Sequence, residues 1–217
     1  MVWGTSNIII ANGEKCLIPY GLHSTNFIDD LEIRFKHKIR KKPLQHIVIH
    51  ETAGNYAINC KQTLARKGYG VHLIISRSGL ISNHGDLLLD VMTHANQCNP
   101  TSIGIEVVNP YAPSLTRIAH KTVPAEWWTW CKPKNDRRYV LPTDAQIEAL
   151  LILVPWLCTI TKVPYTFPTI GLNAKQPKIK HWRLRKRPPP GIIAHRDFAS
   201  HADGRYLLEH LYNNKII

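Results

Sequence analysis

Four side chains stand where they could share one piece of chemistry. Two apolar runs close on an imidazole, "IVIH" at His50 and "IIAH" at His195. Eight residues beyond His195 lies Asp203. Two imidazoles and a carboxylate, with a fourth position open, form the donor set of a hydrolytic zinc site. The fourth side chain is Glu106, in the middle of "SIGIEVV" (102–108). An unpartnered carboxylate is costly to bury, but beside a metal-activated water it is a general base. Gly104, two residues earlier on the same strand face, is expected to leave the floor beside Glu106 open. Each residue also has a plainer reading. A strand-end histidine is commonly structural, Asp203 at the start of a helix is a natural N-cap, and Glu106 can pair with a lysine or arginine.

The elements that must carry these groups follow from periodicity. "HIVIH" (46–50) reads as a buried strand, and "NYAINCKQTLARKG" (55–68) as a short helix stopped at Gly68. "VHLIISRSGLISNH" (71–84) reads as two strands joined at "RSG". In "PTDAQIEALLILVPWLCTITK" (142–162), Thr143 and Gln146 have capping-box spacing, and Ile147, Leu150, Leu151 and Val154 form an apolar stripe. Pro155 removes one backbone hydrogen bond and is expected to kink that helix. "GIIAH" (191–195) is a last strand and "DGRYLLEHLYNN" (203–214) a last helix. Residues 1–45 contain a hairpin and the basic run "RFKHKIRKK", residues 110–142 read as an irregular insertion, and residues 164–190 as a basic, proline-rich loop. The expected fold is α/β: a single domain with a central mixed sheet flanked by helices and the metal site at one edge of the sheet. Residues 1–45 are an extension packed on a 46–217 catalytic domain.

Composition narrows the setting. A chain of 217 residues, 44% hydrophobic and 20% charged, suits one sizeable domain. No apolar run reaches the roughly 20 residues of a membrane span, and the N-terminal stretch lacks the pattern of a secretory signal. Five scattered cysteines without CxxC argue against a disulfide framework. The net charge of +13 implies a polyanionic partner or surface: nucleic acid, anionic lipid or an acidic wall polymer. No zinc-finger spacing, RNA-recognition signature or helix-turn-helix accompanies it, so no specific nucleic acid is expected.

"IVIHETAG", "GYGVHLIISRSG", "MTHANQCNPTSIGIEVVN" and "GIIAHRDFASHADGR", in this order, resemble the zinc-dependent N-acetylmuramoyl-L-alanine amidases. That group spans phage amidase lysozymes, cell-wall recycling amidases and peptidoglycan recognition proteins. The resemblance covers roughly residues 46–109 and 191–212. It implies one Zn2+ per chain held by His50, His195 and Asp203, with Glu106 as the acid/base. An aspartate as third ligand is similar to the recycling branch, where others use cysteine. His201 falls where relatives place a lysine or threonine near the oxyanion, which would make that stabilisation pH-dependent. His94 and Asn99 fall on groove positions that bind substrate. Val71 stands where the phage lysozymes carry a catalytic tyrosine, leaving that role to Glu106.

The implied substrate is peptidoglycan or a muropeptide, cut between N-acetylmuramic acid and L-alanine. The expected setting is a phage-type lysin or virion component, made in the cytoplasm and acting on the wall after release. A cytoplasmic recycling amidase and a non-catalytic peptidoglycan binder are the alternatives. The segment "KQPKIKHWRLRKR" (175–187), through Lys178, Lys180, Arg183, Arg185, Lys186 and Arg187, is expected to bind an anionic envelope polymer or lipid surface; a solvated loop is the alternative. The cluster "WWTWC" (127–131) either stacks on sugars or packs the insertion.

Overall fold

A computed structural model of the protein describes residues 6–26, 35–124, 138–170, 188–197 and 203–215. The expectations for His201, the Trp cluster and the basic segment 175–187 fall outside these residues. In chain order the elements are β1 (Ile8–Ala11), β2 (Glu14–Leu17), β3 (Ser24–Asn26), β4 (His37–Ile39), β5 (His46–Glu51), α1 (Ala57–Arg66), β6 (Leu73–Ile75) and β7 (Ile81–Asn83). They continue with β8 (Asp90–Met92), β9 (Ser102–Val107), β10 (Thr122–Pro124), β11 (Arg138–Val140), α2 (Asp144–Thr161), β12 (Gly191–Ala194) and α3 (Arg205–Asn213).

Six strands form one mixed sheet in the order β12-β5-β9-β6-β7-β3. Only the β6–β7 pair is antiparallel, as expected for strands joined by the short "RSG" turn. Strand alternation gives β5 and β9 two distinct faces. Ile47, Ile49, Ile103, Ile105 and Val107 enter the main core with Leu150, Leu153, Val154 and Leu157 of α2 and Leu207, Leu208 and Leu211 of α3. The opposite face carries His46, Val48 and His50 on β5 and Ser102, Gly104 and Glu106 on β9. The candidate site residues sit on that second face.

Helix α2 begins with the expected capping box, Thr143 Oγ1 accepting from Gln146 N and Gln146 Oε1 from Thr143 N. It runs on through Pro155 to Thr161. By length and composition it could cross a bilayer, but its apolar stripe is spent on the protein's own core.

The N-terminal hairpin is fastened at its turn. Asn12 and Gly13 both adopt positive φ (57° and 76°), the conformation that a two-residue Asn-Gly hairpin turn needs. Their amides donate to Asp86 at 2.9 and 2.6 Å, and those of Leu88 and Leu89 donate to it at 2.8 Å each. Burial alone would raise the Asp86 pKa, but these four amides hold it below its ordinary value. Asp86→Ala would strand all four N–H groups and should cost roughly 2–4 kcal/mol in urea unfolding. Because the native pKa is depressed, the stabilisation is present above the ordinary aspartate value, about 3.9, and is lost as pH falls through the lower native one. The gap between parent and variant should therefore close in acid; a gap constant down to the lowest pH would refute the assignment.

Candidate functional site

The sheet register brings the sequence-predicted residues together. His50 lies opposite Glu106 across the parallel β5–β9 pair, so the two side chains share a face. On the other side of β5, Ala194 lies opposite Ile49, and the next residue of the chain, His195, emerges beside His50. The two imidazole centroids are 4.5 Å apart.

Asp203 arrives from the approach to α3, and its place is set by backbone contacts. Arg196 N donates to Asp203 O at 3.2 Å. Gly204 follows with φ +84°, and a Cβ there would lie 2.1 Å from Ile49 O. Only glycine accepts both the left-handed conformation and that approach. Gly204 is also the N-cap of α3, which carries no side-chain cap. Asp203 is therefore one residue outside the cap position that the sequence allowed for it. Its carboxylate turns to the histidines: Asp203 Oδ2 lies 3.0 Å from His195 Nδ1 and 3.5 Å from His50 Nδ1.

One ligand atom from each of His50, His195 and Asp203 lies within 4.8 Å of the other two. His50 and Asp203 are buried and His195 is half-buried. Burial would push the Asp203 carboxyl up, but the attraction of His195 and hydrogen bonds from His195 and His50 hold it far below the ordinary carboxylate range. Glu106 behaves oppositely. Burial first, then the negative charges of Asp203 and Glu51, raise it well above the ordinary value. Two carboxylates on one site with pKa values driven apart is the pattern of an acid/base group beside a permanent anion.

The expected open floor at Gly104 is filled. A Cβ on Gly104 would lie 2.7 Å from His94 Nδ1 and 2.9 Å from two other ring atoms. The glycine makes room for an imidazole and leaves no vacant space. His94 Nδ1 lies 3.0 Å from His50 Nε2, and His94 Nε2 lies 3.2 Å from Ser102 Oγ. Asn99 does not reach into the site with its oxygen; Oδ1 accepts from the amides of His94, at 3.0 Å, and Ala95. Val71 is buried in a small apolar cluster with Phe35, Ile74 and Met92.

A family model described as N-acetylmuramoyl-L-alanine amidase matches residues 40–205. The chain belongs to this family. Among curated proteins none matches the sequence. Among solved structures, the Drosophila peptidoglycan recognition protein SD aligns at 12% identity over 91% of this chain and 95% of that one, with a TM-score of 0.50. The Clostridium intestinale endolysin LysCS aligns at 14% identity over 84% and 95%, with a TM-score of 0.48. The Ph2119 endolysin from a Thermus scotoductus bacteriophage aligns at 15% identity over 86% and 97%, with a TM-score of 0.46. At 12% identity the first of these speaks to the fold alone.

The donor set of this amidase-family chain fits a zinc ion. Two imidazole nitrogens and a carboxylate oxygen point at one another, and lone pairs so arranged repel unless a cation or protons lie between them. An outer support was not anticipated from the sequence. Glu51 adjoins His50 but points to the opposite face, fully inside the protein. Asn109 Nδ2 and the Tyr139 hydroxyl donate to Glu51 Oε1, and Gly204 N donates to Oε2 at 2.9 Å. Burial, only partly offset by these donors, pushes Glu51 up to about 7. The available signal was an acid at the end of an otherwise buried strand, on its core face.

Asp197 completes the support, accepting from Ala194 N at 2.9 Å and from Arg205 at 3.3 Å, so that the end of β12 and the start of α3 are tied together. Glu51→Ala removes the acceptor of three buried donors and should destabilise the fold by on the order of 3 kcal/mol. Glu51→Gln, which keeps an oxygen for Gly204, should cost clearly less. Equal unfolding midpoints for parent and Glu51→Ala would remove Glu51 from the support.

Proposed function

We propose that this protein is a zinc-dependent N-acetylmuramoyl-L-alanine amidase that cuts the bond between N-acetylmuramic acid and L-alanine in peptidoglycan. The observation that carries this reading is the convergence of His50, His195 and Asp203 beside Glu106 on one face of the sheet. A bound zinc supplies Lewis-acid polarisation of the scissile carbonyl and a lowered pKa for the attacking water. Glu106 accepts the proton of that water and returns it to the leaving amine; its raised affinity for a proton suits a group that must hold one between the two transfers. Burial of Glu106, His50 and Asp203 excludes bulk water from the charges that act. His201 is the proposed donor to the developing oxyanion, and His94 and Asn99 the proposed groove residues.

The setting proposed is that of a phage-type lysin, or an amidase carried on a virion, that meets the wall after release. The charge of +13 supports it, because a soluble recycling substrate needs no such attraction. The basic residues of 175–187 are proposed to hold the enzyme to an anionic envelope polymer or lipid surface.

Product analysis by mass spectrometry tests the activity. Purified peptidoglycan should yield peptides with a free L-alanine amine, and chelator should abolish them. Cleavage that survives chelator, or at a different bond, would overturn the reading. His50→Ala and Asp203→Ala should each lose metal and activity together. Glu106→Gln should keep zinc and fold and lose about 100-fold or more in turnover; near-parental turnover would place the base elsewhere. For the surface, replacing Lys178, Lys180, Arg183, Arg185, Lys186 and Arg187 with Gln should weaken sedimentation with whole walls at low salt and spare turnover of a small muramoyl-peptide. Parental wall binding by that variant would rule out the segment as an anchor.

A further inference from the structure

His94 comes from the loop between β8 and β9, outside the three proposed ligands, yet its ring is built into the site. It occupies the space that Gly104 leaves, held there by Asn99 bonding to its own amide. Both ring nitrogens have protein neighbours, and the chain of contacts can be assigned atom by atom. Ser102 Oγ lies 2.8 Å from Cys98 O. A carbonyl oxygen only accepts, so the single hydroxyl hydrogen of Ser102 is committed there. The 3.2 Å contact between His94 Nε2 and Ser102 Oγ therefore requires the hydrogen to be on the histidine. The reverse arrangement would leave two oxygens 2.8 Å apart with no hydrogen between them.

Among the described residues the partners of the His94 ring nitrogens are Ser102 Oγ and His50 Nε2, neither of them an anion, so nothing there offsets the cost of burying a charged ring. A neutral imidazole carries one hydrogen, so His94 Nδ1 is a bare acceptor. The hydrogen in its 3.0 Å contact with His50 then belongs to His50 Nε2. Nδ1 is then the other ring nitrogen of His50, on the side where Asp203 Oδ2 lies 3.5 Å away.

We propose that His94 is a positioning residue for His50: the relay His50 Nε2–H to His94 Nδ1, His94 Nε2–H to Ser102 Oγ, and Ser102 Oγ–H to Cys98 O fixes a hydrogen on His50 Nε2, so that Nδ1 is the nitrogen turned to the metal position. The part of this that concerns zinc rests on the reading of the site as a zinc centre; the tautomer itself does not. The same device explains why a glycine is needed at 104 and why Ser102 lies on the same strand face as Glu106, two places before that glycine. Hydrogen-bond partners behind a metal-bound histidine typically govern about 10–100-fold in metal affinity.

The test has two independent readouts. In the metal-free parent, imidazole nitrogen and carbon NMR shifts should show a hydrogen on His50 Nε2; a hydrogen on Nδ1 with none on Nε2 overturns the relay whatever the metal result. In competition with a chromophoric chelator, His94→Phe, which fills the space but accepts no hydrogen bond, should bind zinc about 10–100-fold more weakly than the parent. His94→Asn, whose Oδ1 can stand near the place of Nδ1 and accept from His50, should recover most of that loss. A folded His94→Phe with parental affinity and an unchanged His50 tautomer overturns the proposal. Should His94→Phe not fold, Ser102→Ala replaces it: with its acceptor gone, His94 no longer has a fixed tautomer, and His50 should show a mixture. A single unchanged His50 tautomer in Ser102→Ala also overturns the proposal. A parent that takes up no zinc, yet shows the predicted tautomer, would sink the zinc reading and leave the relay standing.

Discussion

The parallel pairing of β5 with β9 on one side and β12 on the other is the constraint on which the site depends. It sets His50 against Glu106 and brings His195 out beside them. A slip of one residue in either ladder would carry a proposed ligand or the proposed base to the opposite face, into the apolar core. The register is protected because that core is dense: Ile47, Ile49, Ile103, Ile105 and Ile192 are wholly buried against α2 and α3. Hydrophobic packing on one face thus holds the polar geometry on the other. The functional groups need not supply the stability they consume.

The third proposed ligand is not on the sheet and needs a separate device. Asp203 precedes α3, and the chain must pass close under the end of β5 to present it. Gly204 permits that approach against Ile49 O, and Glu51 receives the Gly204 amide there. His50 and Glu51 are consecutive residues with opposite directions. One faces the proposed metal and the other fastens the segment that bears Asp203. A buried carboxylate with three donors costs less than an unsatisfied one, which accounts for an acid being tolerated on the core side of a strand.

Much of this was readable from local pattern. The strands that deliver His50 and His195, the alternation that sets Glu106 apart from Ile103 and Ile105, and the capping box of α2 all depend on neighbours in sequence, and the fold class followed from them. Misread details depend on partners far along the chain. Gly104 was expected to leave an open floor, and His94 fills it from another loop. Asp203 was open to an N-cap reading, and the positive φ of Gly204 moves the helix start beyond it. Glu51 was passed over because its donors Asn109, Tyr139 and Gly204 are 58, 88 and 153 residues away. Periodicity carries no information about such contacts.

The proposed chemistry requires a zinc ion among two imidazoles and one carboxylate, with Glu106 next to it. Anomalous scattering at the zinc edge, from crystals of protein purified without chelator, addresses that directly. A zinc amidase should give one strong peak bounded by His50 Nδ1, His195 Nδ1 and Asp203 Oδ2. No peak at that position in zinc-soaked crystals, or a peak held by other residues, would contradict it.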